Sequence, residues 1–167
     1  MIIHPELKKQ SDRILHLIDE AERLLTDEEE MQSHLAKYIC ILCSGFLENV
    51  VKALYSDYVK SLTTSESIIS FTSSNLNNIN NPNSERLRGI AKSFNIVWEK
   101  DLNVFMIADD RNTTINYIMK ERHNIAHGKD SEITLRRIRE YHLKSLEVAK
   151  FIESQCSTVY PIGNTSK

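Results

Sequence analysis

Only four glycines and three prolines punctuate the 167 residues. A chain so poor in turn formers cannot make the many tight reversals of a multi-stranded β fold, and it is suited to a few long helices. With 41% hydrophobic and 26% charged residues, it has the balance of a globular, all-α chain rather than a disordered one. The length fits one domain, expected over residues 1–157, with a flexible tail at 158–167.

Pro5 is suited to a first helical turn. Leu7, Ile14, Leu17, Ile18, Ala21, Leu24 and Leu25 then recur at three- and four-residue steps, the stripe of an amphipathic helix. Thr26-Asp27-Glu28-Glu29 matches a capping box and opens a second helix running to about Leu62. Its centre, Ile39 to Leu54, is apolar around much of its circumference and predicts the core helix. Gly45 there costs about 1 kcal/mol relative to Ala, and is expected to mark the close approach of a neighbouring helix. Residues 63–83 turn rich in Ser, Thr and Asn and read as a polar loop that could hold one short helix. Ser84 caps a helix to about Phe94, and 96–110 reads as a short helix or an extended connection. A further helix runs through His127 and ends at Gly128, a residue suited to the left-handed position after a helix. Ser131 or Thr134 opens the last helix, to about Gln155.

Charge is unevenly distributed. Residues 1–60 carry seven Lys/Arg against eleven Asp/Glu, and residues 111–144 carry eight against four, so a local positive field can sit on a near-neutral protein. Cys40 and Cys43 lie in an apolar run and read as core filling, with Cys156 unpaired, so neither a disulfide framework nor a redox motif is expected. The start, Met1 to Glu6, lacks the basic and apolar regions of a signal peptide, and no run approaches the roughly 18 apolar residues of a membrane span. The expected address is the cytoplasm, with no membrane partner.

The densest chemically able cluster is Lys120-Glu121-Arg122-His123-Asn124-Ile125-Ala126-His127-Gly128. Arginine offers a permanently charged planar fork for phosphate oxygens, and histidine trades protons near neutral pH. RNA transesterification needs those two functions and no metal or other cofactor, because the 2′-OH is a nucleophile already held beside its phosphate. Arg122 and His127, however, diverge by roughly 140° on a regular helix. They can serve one site only if the helix distorts near Gly128 or two copies of the motif meet across a dimer. His123 and His127 share a face and could hold a metal, but no further ligand stands at recognisable spacing and the nearby cations oppose it.

Arg122-x4-His127, the glycine after it and the capped helix that follows resemble the Arg-x(4–6)-His signature of the HEPN superfamily (higher eukaryotes and prokaryotes nucleotide-binding), and in particular its bacterial RiboL-PSP-like branch. The upstream Ser44-Gly45-Phe46-Leu47-Glu48-Asn49 is similar to that branch's second helix. The resemblance covers most of residues 10–155. It implies an up-down bundle of four to six helices that dimerises so that both motifs line one cleft. Carried over, it gives Arg122 the scissile phosphate and His127 the general acid/base role. His123 and Asn124 would orient them or hold RNA, and Glu48 and Lys129 would support the site. Where one toxin branch has an adenylylated tyrosine two positions past the histidine, this chain has Lys129, so that mode of neutralisation is not expected.

The expectation is a metal-independent endoribonuclease, a toxin or antiphage effector of a bacterial conflict system, with RNA as substrate, a homodimeric state and an antitoxin or other neighbouring-gene partner. The alternatives are a non-catalytic HEPN module that binds nucleotide, RNA or a partner protein, and a plain helical dimerisation protein.

Overall fold

The computed structural model describes residues 4–24 and 28–157. Among them lie seven α-helices and no strand: α1 (Pro5–Leu24), α2 (Glu29–Leu62), α3 (Glu66–Asn77), α4 (Ser84–Phe94), α5 (Ile96–Ile107), α6 (Arg111–Ala126) and α7 (Leu135–Ser157). Both segments that the sequence leaves open are helical, which brings the count above the expected four to six. The short helix that the polar stretch 63–83 could hold is α3, with short connections on either side. Its apolar residues explain this, since Leu76 and, just beyond the helix, Ile79 are buried despite the Ser and Asn between.

On α1 the stripe is as expected: Leu7, Ile14, Ile18 and Ala21 are buried, with Ser11 on the same row. Leu25 and the Leu24 side chain fall outside the described residues. So does the Thr26 end of the expected capping box; Glu28 at the N-cap of α2 makes no side-chain cap bond. α2 is the core helix, packed by α1, α3, α6 and α7, and buries Ala36, Ile39, Cys43, Phe46, Val50 and Leu54 at successive turns. By length and composition it could cross a membrane, contrary to the sequence reading. Yet 56% of its most apolar window is buried inside the protein, as expected of a core helix.

Gly45 needs a different account from the one the sequence suggests. A Cβ built there meets nothing within 4 Å, so no neighbouring helix demands a glycine.

Contacts fix the helix directions. His4 bonds Glu153, Ser11 bonds His142 and Asp19 bonds Arg139, so α1 runs antiparallel to α7. Arg111 meets Glu147 and Tyr117 packs on Tyr141, so α6 also runs antiparallel to α7, as helix–short loop–helix requires. Between α4 and α5 the chain breaks at Asn95 (φ −158°, ψ 126°), whose side chain then caps α5 by accepting the Val97 N–H at 2.8 Å. A 3-10 turn, Ala108–Asp110, reverses the chain into α6, with Asp109 and Asp110 both left-handed (φ 54° and 55°).

Candidate functional site

The motif helix α6 stays helical to Ala126. His127 is its C-cap at φ −99°, ψ 13°, and its N–H still bonds the His123 carbonyl at 3.2 Å. Gly128 follows in the left-handed region (φ 65°) and donates to Ile125 O, while Lys129 N–H donates to Asn124 O at 2.9 Å. Those two bonds close a Schellman turn, and the glycine is there because its φ suits no side chain. The distortion that would bring Arg122 and His127 onto one face is therefore absent. At about 100° per residue, Arg122, His123, Asn116, His127 and Lys120 spread over an arc of roughly 160°, with His123 between the two residues of the signature and the buried Ile115 and Met119 between Arg122 and His123. The opposite side of α6 carries the buried Thr114, Ile118 and Glu121.

Arg122 is half-buried and makes no ion pair or hydrogen bond among the described residues. Three other cations of the basic segment are engaged in ion pairs. Arg111 pairs with Glu147 at 2.7 Å, Arg139 with Asp19 and Glu22 at 2.5 and 2.8 Å, and Lys144 with Glu140 at 3.8 Å. Pairing with acids of α1 and α7 thus thins the positive field expected over 111–144, while Lys120, Arg122, Lys129, Arg136 and Arg137 stand outside these ion pairs.

Arg122, Lys120 and His123 line one groove of about 320 Å³ with Met119, Asn116 and the segment holding Asn81 and Asn83. His127 does not line it, but its ring lies 4.3 Å from that of His123, tilted by 55°. Both rings are exposed. Among the described residues no three His, Cys, Asp or Glu side chains converge as metal ligands, so this pair has no third donor.

The remaining expected site residues lie outside the groove. Glu48 stands behind it, where its Oε1 accepts the Asn81 N–H at 2.8 Å and its Oε2 lies 3.8 Å from Lys52 Nζ. It holds the groove's wall. Asn124 points to Glu121, donating from Nδ2 to Oε1 at 3.4 Å. Lys129 is exposed in the turn and contributes its backbone N–H to the helix end.

Sequence reasoning missed Glu121, 5% exposed, whose Oε2 accepts the Ser131 hydroxyl at 2.5 Å. It ties the turn after His127 back to α6. It also missed Asn81 and Asn83, which read as turn formers, and Asn116. The only signal was the density of asparagine before Ser84.

An all-helical chain with an unpaired arginine and two histidines on the open face of its penultimate helix, ahead of a glycine turn, has the architecture of a HEPN module. The family model described as RiboL-PSP-HEPN matches residues 6–158, and the chain belongs to that family. No curated protein and no solved structure matches it.

Proposed function

We propose that this HEPN module is a metal-independent endoribonuclease, acting in the cytoplasm as a toxin or antiphage effector of a bacterial conflict system. The observation that carries the reading is the pairing of an uncommitted, half-buried Arg122 with His123 in one groove, with the His127 ring 4.3 Å further along. An arginine left without a carboxylate in a groove is suited to a phosphate, and its planar fork fits two non-bridging oxygens.

In the proposed reaction His127 takes the proton of the 2′-OH, and the 2′ oxygen forms a bond to phosphorus. Arg122 stabilises the charge on the non-bridging oxygens. The P–O5′ bond breaks, and the His127 imidazolium returns its proton to the leaving 5′ oxygen. The products are a 2′,3′-cyclic phosphate and a 5′-OH end. His123 holds the RNA between the two, and Asn124, Lys129 and Glu48 act through positioning. Because α6 stays regular to Ala126, Arg122 of one copy and His127 of the other serve the same phosphate in a homodimer. Restraint by an antitoxin encoded nearby fits the same reading.

The test has two parts. Purified protein incubated with total RNA in EDTA is expected to cleave it, and Arg122→Ala or His127→Ala is expected to lower the rate by roughly a hundredfold or more. Expression in cells is expected to be harmful and each variant to relieve the harm; equal toxicity of all three proteins would sink the proposal. Intact RNA together with saturable nucleotide binding would favour a non-catalytic module instead.

A further inference from the structure

Two asparagines of the Arg122 groove share one polarity. Asn116 Oδ1 accepts the backbone N–H of Ser84 at 2.9 Å, and Asn83 Oδ1 accepts that of Arg86 at 2.8 Å. A backbone N–H can only donate, so both amides are turned with oxygen towards the protein. The Asn81 amide meets the Ser44 hydroxyl at 3.1 Å, a group that also faces Met119 Sδ, and its left-handed backbone (φ 47°) is held by Glu48. None of the three Nδ2 groups makes a hydrogen bond among the described residues. Asn83 and Asn116 therefore hold free N–H donors beside oxygens that already accept one bond each.

Phosphate oxygens are already served there by Arg122 and Lys120. Neutral N–H donors better suit a neutral edge carrying acceptors alone. Among nucleobases, guanine has such an edge, O6 beside N7, whereas adenine sets an amino donor beside its N7 and cytosine exposes its N4 amino group. An asparagine reads adenine by accepting from that amino group with its oxygen, and here those oxygens are turned to the backbone N–H groups of Ser84 and Arg86, which leaves the Nδ2 donors as the free ends. Uracil offers O4 without a second acceptor next to it on that edge.

The geometry points to a guanine subsite in this groove, with Asn83 and Asn116 donating to O6 and N7 of a base that flanks the phosphate on Arg122. That the phosphate is the one cut rests on the ribonuclease reading; the base selectivity does not.

The informative variants are Asn116→Asp and Asn83→Asp. Each keeps the oxygen that accepts from the backbone, and aspartate remains a good N-cap for α4, so the fold is preserved while the free donor becomes an acceptor. Two measurements are made on wild type and variants. One maps the cut ends in a random-sequence RNA. The other measures binding of short 2′-O-methyl RNAs, which cannot be cut, differing by guanine or adenine at one position. The expected result is guanine enrichment at one fixed position beside the cut and tighter binding of the guanine oligonucleotide. Each variant should reduce the guanine-to-adenine ratio by about tenfold, because the two-donor contact to O6 and N7 discriminates by about that much or more and each variant turns one of its donors into an acceptor. Reading a ratio removes the general repulsion of RNA by the added carboxylate. Substituting 7-deazaguanine should weaken the preference in wild type and leave the variants little changed.

A cut pattern without guanine preference, or variants that slow cleavage equally on every sequence, would overturn the subsite and leave the ribonuclease standing. Guanine-selective binding by a protein that cuts no RNA would do the reverse.

Discussion

His142 lies wholly inside the core with both ring nitrogens engaged: Nε2 is 3.0 Å from the Ser11 hydroxyl and Nδ1 is 3.6 Å from Cys43 Sγ, while its ring meets Phe46 edge-on. Burial pushes its pKa down to about 4 from the ordinary 6.5, and its bond with Ser11 opposes this only in part. The unfolded chain therefore takes up this proton more readily than the folded one. The His142 contribution to stability is complete above about pH 6.5 and is lost as pH falls towards 4. Between pH 6.5 and 5.5 the loss from this one group should be about 1 kcal/mol. Urea unfolding of wild type and His142→Gln across that interval checks it, since the variant should lose this part of the pH dependence. The neighbouring Cys43 thiol is also pushed up by burial, so it is expected to react only on unfolding. Glu121 makes a second residue-scale case. Removing its carboxylate by Glu121→Ala leaves Ser131 and Asn124 without their acceptor and should cost about 2 kcal/mol, seen as a lower Tm and faster amide exchange in residues 128–134.

Gly45 inside α2 and Gly128 just past α6 are expected to respond oppositely to alanine. Gly45→Ala, in open space inside α2, should stabilise the protein by up to about 1 kcal/mol through helix propensity. Gly128→Ala, at φ 65°, should destabilise it by about 1 kcal/mol, because the Schellman turn forces the left-handed region on a Cβ. Chemical denaturation of the two variants reads both signs. These elements also show what the sequence makes legible. Gly128 could be read because its role is local: a helix end needs a positive φ within one turn of Ala126. The stripes of α1 and α2 were legible for the same reason, since burial repeats every turn. Gly45 was misread because close approach is a tertiary property that composition cannot report. α3 was obscured because Ser and Asn are weak helix formers, and burial of Leu76 and Ile79 against the body of the protein outweighs that preference. At the site, Arg122, His123 and His127 stand together in the chain and could be singled out. Asn81, Asn83 and Asn116 could not, because their shared wall exists only once Glu48 of α2 docks the segment before α4.

At the scale of the molecule, α1, α2, α6 and α7 form a body that presents the motif arc of α6, while acids of α1 and α7 neutralise Arg139 and Arg111 and leave the cations of the motif free. In the proposed reaction Arg122 and His127, about 140° apart on a helix regular to Ala126, serve one phosphate from two copies. Mixing Arg122→Ala with His127→Ala, each inactive alone, should then restore activity to about a quarter of wild type, because half the protein forms mixed dimers with one intact site each. No recovery after subunit exchange would contradict the shared site. The nature of the cut ends reads the proposed chemistry most directly. Wild-type protein should cut RNA in EDTA to 2′,3′-cyclic phosphate and 5′-OH ends, and a 2′-deoxy substitution at the cut position should block it. Ends bearing a 5′-phosphate, or cleavage that persists past the 2′-deoxy position, would contradict it.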